Sequence, residues 1–182
     1  MFVQANPMYV FKTKPTLTNV ALPTSVLSNG TQTIYQYTVT ADAAGTIAWR
    51  QIKFNVATTS VTATGFALYD SANQSTALAN TTCTRAGSVV TCVSTQDQEV
   101  AGSKTYVLKA TTAGATTNSS ISVNIPSSGL PYVAPTAAGS VGATSSFTWS
   151  DESIAPHTET SADWNSDFLM KNLPTDSLTM TK

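Results

Sequence analysis

The chain has 182 residues, of which 41% are hydrophobic and only 10% charged, with a net charge of -1. Such a chain can bury a core without metal ions and is too apolar to be disordered. Its basic residues are scattered, which argues against a nucleic-acid partner, and it has no apolar run long enough for a membrane span. Hydroxyl and small residues take the place of charges, a composition suited to strands that face water.

The opening MFVQANPMYVFK is apolar but too short and interrupted for a signal peptide, so the chain reads as a mature or trimmed fragment. Residues 1–13 read as an N-terminal extended strand. Phe2, Val3, Met8, Tyr9, Val10 and Phe11 are its candidate assembly residues, able to complete a neighbouring subunit's sheet or to pair within their own. Residues 14–126 read as a β-sandwich. PTLTNVAL places Leu17, Val20 and Leu22 on short extended runs. TQTIYQYTVTA sets Tyr35, Tyr37 and Val39 on one face. In GTIAWRQIKFNVA, Ile47 and Trp49 share one parity, whereas Ile52, Phe54 and Val56 share the other. The slip near Arg50-Gln51 predicts a β-bulge or a change of sheet. Phe66 and Leu68, Tyr106 and Leu108, and Ile121, Val123 and Ile125 continue the alternation. Turn signals such as SNG, DAAG, DSANQ, RAGS and TAGAT separate the runs.

NTTCTRAGSVVTCVST predicts a hairpin turning at Gly87-Ser88, which places Cys83 opposite Cys92 and within disulfide reach. A lasting disulfide implies an oxidising compartment and thus an extracellular setting. The N-x-S/T sequons at Asn29, Asn73, Asn80 and Asn118 are what so Ser- and Thr-rich a chain produces by chance.

Residues 127–146 are rich in Pro, Gly, Ser and Ala without a period, and read as a linker or a crawl across the sandwich surface. Residues 147–182 form a candidate clasp. Phe147 and Trp149 alternate as a strand. TSADWNSDFLMKNLP reads as a short helix capped by Thr160 and stopped by Pro174, with Trp164, Phe168 and Leu169 on one face. The tail TDSLTMTK reads as frayed. The expected architecture is therefore all-β: an Ig-like β-sandwich with a C-terminal strand-plus-short-helix extension packed on it.

Little chemistry stands out. His157, the only histidine, lies in a loop with no nucleophile elbow nearby. Asp151, Glu152 and Asp163 are the nearest approach to a glycosidase carboxylate pair, yet adjacent strand residues face opposite ways. Asp163, Asn165 and Asp167 begin a D-x-N-x-D calcium pattern, a weak candidate site. Phe168 stands where the loop needs Gly, and Pro174 where it needs Glu. The expectation is a chain with no catalytic residue and no cofactor other than candidate calcium.

YVFKTKPTLTNVALPTSVLSNGTQTIYQYTVTADAAGTIAWRQIKFNV and FTWSDESIAPHTETSADWNSDFLMKNLP resemble segments of the C-terminal domain of large predicted surface proteins of ultrasmall candidate-phylum (Parcubacteria-type) bacteria. The resemblance spans most of the chain. It implies an exported, cell-envelope setting, and it marks Phe147, Trp149, Ser150, Asp151, His157, Asp163, Trp164 and Pro174 as signature positions without supplying a catalytic role. The sequence thus leads to an extracellular structural cell-surface protein, a module of a surface layer or pilus-like filament. Its partners would be other copies of itself or envelope proteins, and its contacts β-strand contacts. The alternative is an adhesive module binding carbohydrate or calcium.

Overall fold

The computed structural model describes residues 10–42, 45–168 and 170–182. The strands run in chain order as β1 (Pro15–Asn19), β2 (Gly30–Ala41), β3 (Thr46–Thr59), β4 (Thr62–Asp70), β5 (Thr81–Ala86), β6 (Val89–Ala101), β7 (Ser103–Ala113) and β8 (Ser120–Asn124). A one-turn helix α1 (Ala138–Val141) precedes β9 (Phe147–Ser150), β10 (Trp164–Asn165) and β11 (Leu178–Thr181). One sheet has the order β1-β2-β7-β4. The other runs β10-β9-β3-β6-β5, with β8 also on β3 and β11 on β8, and every ladder is antiparallel. The two sheets pack as an all-β sandwich. The first has the A-B-E-D adjacency of an immunoglobulin-type domain, and β3-β8-β11 has its C-F-G adjacency.

The alternating residues of the sequence form the core between the sheets. Leu17, Tyr35, Tyr37, Val39, Phe54, Tyr106, Leu108, Ile121, Val123 and Ile125 are all buried. Tyr37 stacks on Tyr106 at 5.6 Å, and the Trp49 ring stands edge-on to Tyr106 at 5.4 Å. The Trp49 indole N–H donates to the Tyr106 hydroxyl at 3.1 Å, so the buried ring keeps a polar partner. Each such large side chain contributes roughly 1.5–3 kcal/mol on burial.

Strand β3 organises the second sheet. Its register shifts between Trp49 and Gln51 against both β6 and β9, the bulge that the change of parity predicts. Because the extra residue resets the alternation, Ile47 and Trp49 before it and Ile52, Phe54 and Val56 after it all reach the same core. The other side of β3 is shared end to end. Asn55–Thr59 pair with β8, and residues 48–52 pair with β9.

Three expectations for the C-terminal region need correction. Among the described residues no helix forms over 160–173: turns surround β10, and a helical turn lies at Ala138–Val141 instead. Phe147 and Trp149 do not pack on the sandwich from outside, because β9 is a strand of its sheet. The tail is not frayed. Leu178–Thr181 pair with Val123–Ser120, Met180 is fully buried, and Thr181 bridges Val26. Residues 127–146 do cross the surface, where Thr136 and Trp164 exchange backbone hydrogen bonds at 3.0 Å each.

Candidate functional site

The densest set of polar side chains lies where the loop from Asp151 to Asp163 folds over the sheet. Trp164 is buried but stands apart from the core between the sheets. His157 lies against it, with ring centroids 5.1 Å apart, and the Arg50 guanidinium sits 5.6 Å from the Trp164 ring centre. Arg50 pairs with Asp97 of β6 at 2.5 Å and with Glu159 of the loop at 2.7 Å. His157 Nδ1 lies 3.0 Å from Asp163 Oδ2, and Nε2 lies 3.6 Å from Asp97 Oδ2. The Trp164 indole N–H donates to the Thr158 carbonyl at 2.9 Å. The bulge and this cluster belong together, since the turn of β3 after Trp49 carries Arg50 to the loop. Arg50 and Asp97 were not singled out by sequence reasoning. Arg50's position at the parity slip was the available signal; Asp97 had none.

Asp163 is nearly fully buried. It accepts from the Ser161 hydroxyl at 2.6 Å and the Ile154 N–H at 3.2 Å. Burial pushes its carboxyl up, but the donors Ser161, Ile154 and His157 outweigh burial and hold it below the usual carboxylate value. Asp167 is held by other groups: the Ser128 N–H at 2.7 Å, the Ser128 hydroxyl at 2.5 Å and the Ser146 N–H at 3.2 Å. Asn165 donates to the Asp163 backbone carbonyl at 2.9 Å. Asp163 thus holds the 154–161 loop and Asp167 holds Ser128 and Ser146, while Asn165 braces the turn between them. Among the described residues, no group of three or more His, Cys, Asp or Glu could hold a metal ion.

As acid–base chemistry the cluster is poorly arranged. Ser161 Oγ and Asp163 Oδ2 both approach the same histidine nitrogen, at 3.2 and 3.0 Å. A nucleophile and an orienting acid need opposite nitrogens. Asp151, the other end of the loop, accepts from the Lys12 N–H at 2.9 Å, and Glu152 accepts from the Thr46 hydroxyl. These carboxylates pin the loop to the start of the chain and to β3.

The clasp residues come together only in part. Phe147 packs on Trp49 at 6.0 Å. Trp149 packs on Phe11 at 5.4 Å and donates from its indole N–H to the Ser166 carbonyl at 2.9 Å. Phe168 meets Tyr132 edge-on at 5.7 Å, and Leu169 lies outside the described residues. Of the candidate assembly strand, Phe2, Val3, Met8 and Tyr9 also lie outside them. Val10 is exposed, and neither it nor Phe11 is in a strand. Cys83 and Cys92 are bonded and directly opposed in the β5–β6 ladder, joined through the two-residue turn at Gly87-Ser88. A groove of about 410 Å³ lies between the α1 turn and the β3–β6 surface, lined by Arg50, Gln51, Val93, Thr95, Thr148 and Glu159. No helix among the described residues is long and apolar enough to cross a membrane. No family model, curated protein or solved structure matches the chain.

Proposed function

We propose that the protein is an extracellular, non-enzymatic structural module of the cell surface, assembled through β-strand contacts into a surface layer or filament. The observation that carries this reading is the Cys83–Cys92 disulfide, set across an exposed hairpin. Such a bond persists in an oxidising compartment, and here it ties a strand with no buried residue to Cys92, which is buried in the core. A low-charge, hydroxyl-rich surface supports the same reading, as does the resemblance of both ends of the chain to bacterial surface proteins. The side chains that would serve chemistry, His157 and its carboxylates, are spent on holding the loop over Trp164. Trp149 and Trp164, the aromatics a stacking platform for sugars would use, are buried.

The test is the assembled state of the purified, non-reduced chain, by light scattering after size exclusion with electron microscopy of the heaviest fraction. Concentration-dependent oligomers, sheets or fibres are expected. A chain that stays monomeric up to millimolar concentration overturns the assembly reading.

A further inference from the structure

The sheet edges are finished unequally. The outer side of β1 is covered by the C-terminal segment: Thr16 bridges Lys171, and Asn172 donates to the Leu17 carbonyl at 2.9 Å. On β4, the Leu68 carbonyl accepts from the Leu78 N–H at 2.7 Å, and the Ala63 carbonyl accepts from the Arg85 guanidinium at 3.0 Å. Trp164 of β10 is matched by Thr136. Thr181 of β11 is covered on its side away from β8, accepting from the Leu27 N–H and donating to the Ser25 carbonyl. Strand β5 has no such cover among the described residues.

The hairpin geometry says which β5 groups face outward. In a two-residue hairpin the closing pair exchanges hydrogen bonds, and hydrogen-bonded pairs then alternate with non-bonded ones. Ala86↔Val89, Thr84↔Thr91 and Thr82↔Val93 are therefore the bonded pairs. The Thr95 N–H to Asn80 carbonyl bond, at 2.9 Å, fits the same alternation. The backbone N–H and C=O groups of Thr81, Cys83 and Arg85 are left pointing away from β6.

Among the described residues nothing guards this row. Proteins blunt exposed edges with proline, bulges or projecting charges. Strand β5 contains no proline, its register with β6 is unbroken, and its one charged side chain, Arg85, turns back to the Ala63 carbonyl and the Phe66 ring.

We infer that β5 is an assembly edge, and that its occupant is β5 of a second copy of this chain, added antiparallel about a two-fold axis. The inference rests on the assembly reading and locates its contact in β5 rather than in residues 1–13. Outward groups at Thr81, Cys83 and Arg85 are self-complementary when Cys83 lies opposite its own symmetry mate. Arg85 then faces Thr81 and Thr82 faces Thr84, so no like charges meet. Six paired residues make a small interface, so association through this edge alone is weak, with a Kd on the order of 0.1–1 mM.

The experiment is sedimentation of the oxidised full chain from micromolar to millimolar concentration, in three forms: wild type, T82K/T84K and T82K/T84E. All carry the disulfide, and all are checked for an unchanged melting curve. The double-lysine form sets like charges opposite each other in the inferred register and should weaken dimerisation about tenfold or more. The lysine–glutamate form sets opposite charges there and should restore it. Self-association unchanged in the double-lysine form overturns the β5 contact but leaves the assembly reading standing. Loss in both charged forms alike overturns the inferred register and with it the two-fold pairing. A monomeric wild type overturns both proposals.

Discussion

The seven-stranded sheet is finished by two contrasting structures. On one flank is the β5–β6 hairpin, in which no β5 residue is buried and a covalent bond does the fastening. On the other is the segment from Phe147 onward. All four residues of β9 are buried, two tryptophans lie inside, and side-chain hydrogen bonds do the fastening. The difference follows from what each strand has behind it. Strand β5 is flanked on one side only and is no more than half-buried, whereas β9 lies between β3 and β10 and is fully buried. A sheet edge can be secured by cross-linking and left open, or secured by packing and closed; this protein does one at each flank.

The sharpest way to break the comparison is to remove packing from the closed flank. Trp149→Ala opens a cavity beside Phe11 and leaves the Ser166 carbonyl without its donor. It should cost about 3–5 kcal/mol, read as a lower urea midpoint. Next is Asp167→Ala, which strands the Ser128 and Ser146 N–H groups. A loss of about 3 kcal/mol is expected by the same measurement, and a loss below 1 kcal/mol would mean that water replaces the carboxylate freely. The open flank should respond less. Replacing Cys83 and Cys92 together with alanine should cost about 2–3 kcal/mol, with the loss confined to unfolding equilibria and near-ultraviolet dichroism of the core unchanged.

The gentlest probe is acid. The Asp163 carboxyl is held below its ordinary value in the folded chain. Its contribution is therefore full above the unfolded carboxylate value of about 4, and is lost as pH falls through the lower folded value. Asp163→Asn should lower stability at neutral pH and flatten the acid limb of the stability profile. Parallel acid limbs for the two chains would count against a role for this carboxylate.

Strand identity was legible where alternation ran long enough to show parity. Tyr35, Tyr37 and Val39 announced β2, and the phase change across Arg50-Gln51 announced the bulge in β3. The opposed cysteines needed only a turn signal at Gly87-Ser88. The helix expected over 160–173 rested on the spacing of Trp164 and Phe168, and local hydrogen bonding overrode it. Ser161 donates to the Thr158 carbonyl and Asn165 to the Asp163 carbonyl, local bonds that compete with a helix, while Asp163 and Asp167 accept from the N–H groups of Ile154, Ser128 and Ser146 farther away in the chain. In the tail, Leu178 and Met180 do alternate, but four residues are too few to distinguish from chance. The pairing of β9 with β3 and the Arg50–Asp97–His157 contacts had no local signature, because they join segments far apart in the chain.

That separation has a consequence in time. Trp49 is paired with Trp149, Thr16 bridges Lys171, and Val26 bridges Thr181. Early strands thus wait for late ones, and loops must close before these contacts repay the ordering. Folding should be slow, and the pairing of β3 with β9 waits until Phe147–Ser150 have emerged. Until then residues 48–52 of β3 stand open on that side, so a chain interrupted before Phe147 leaves an unpaired stretch in the middle of the sheet.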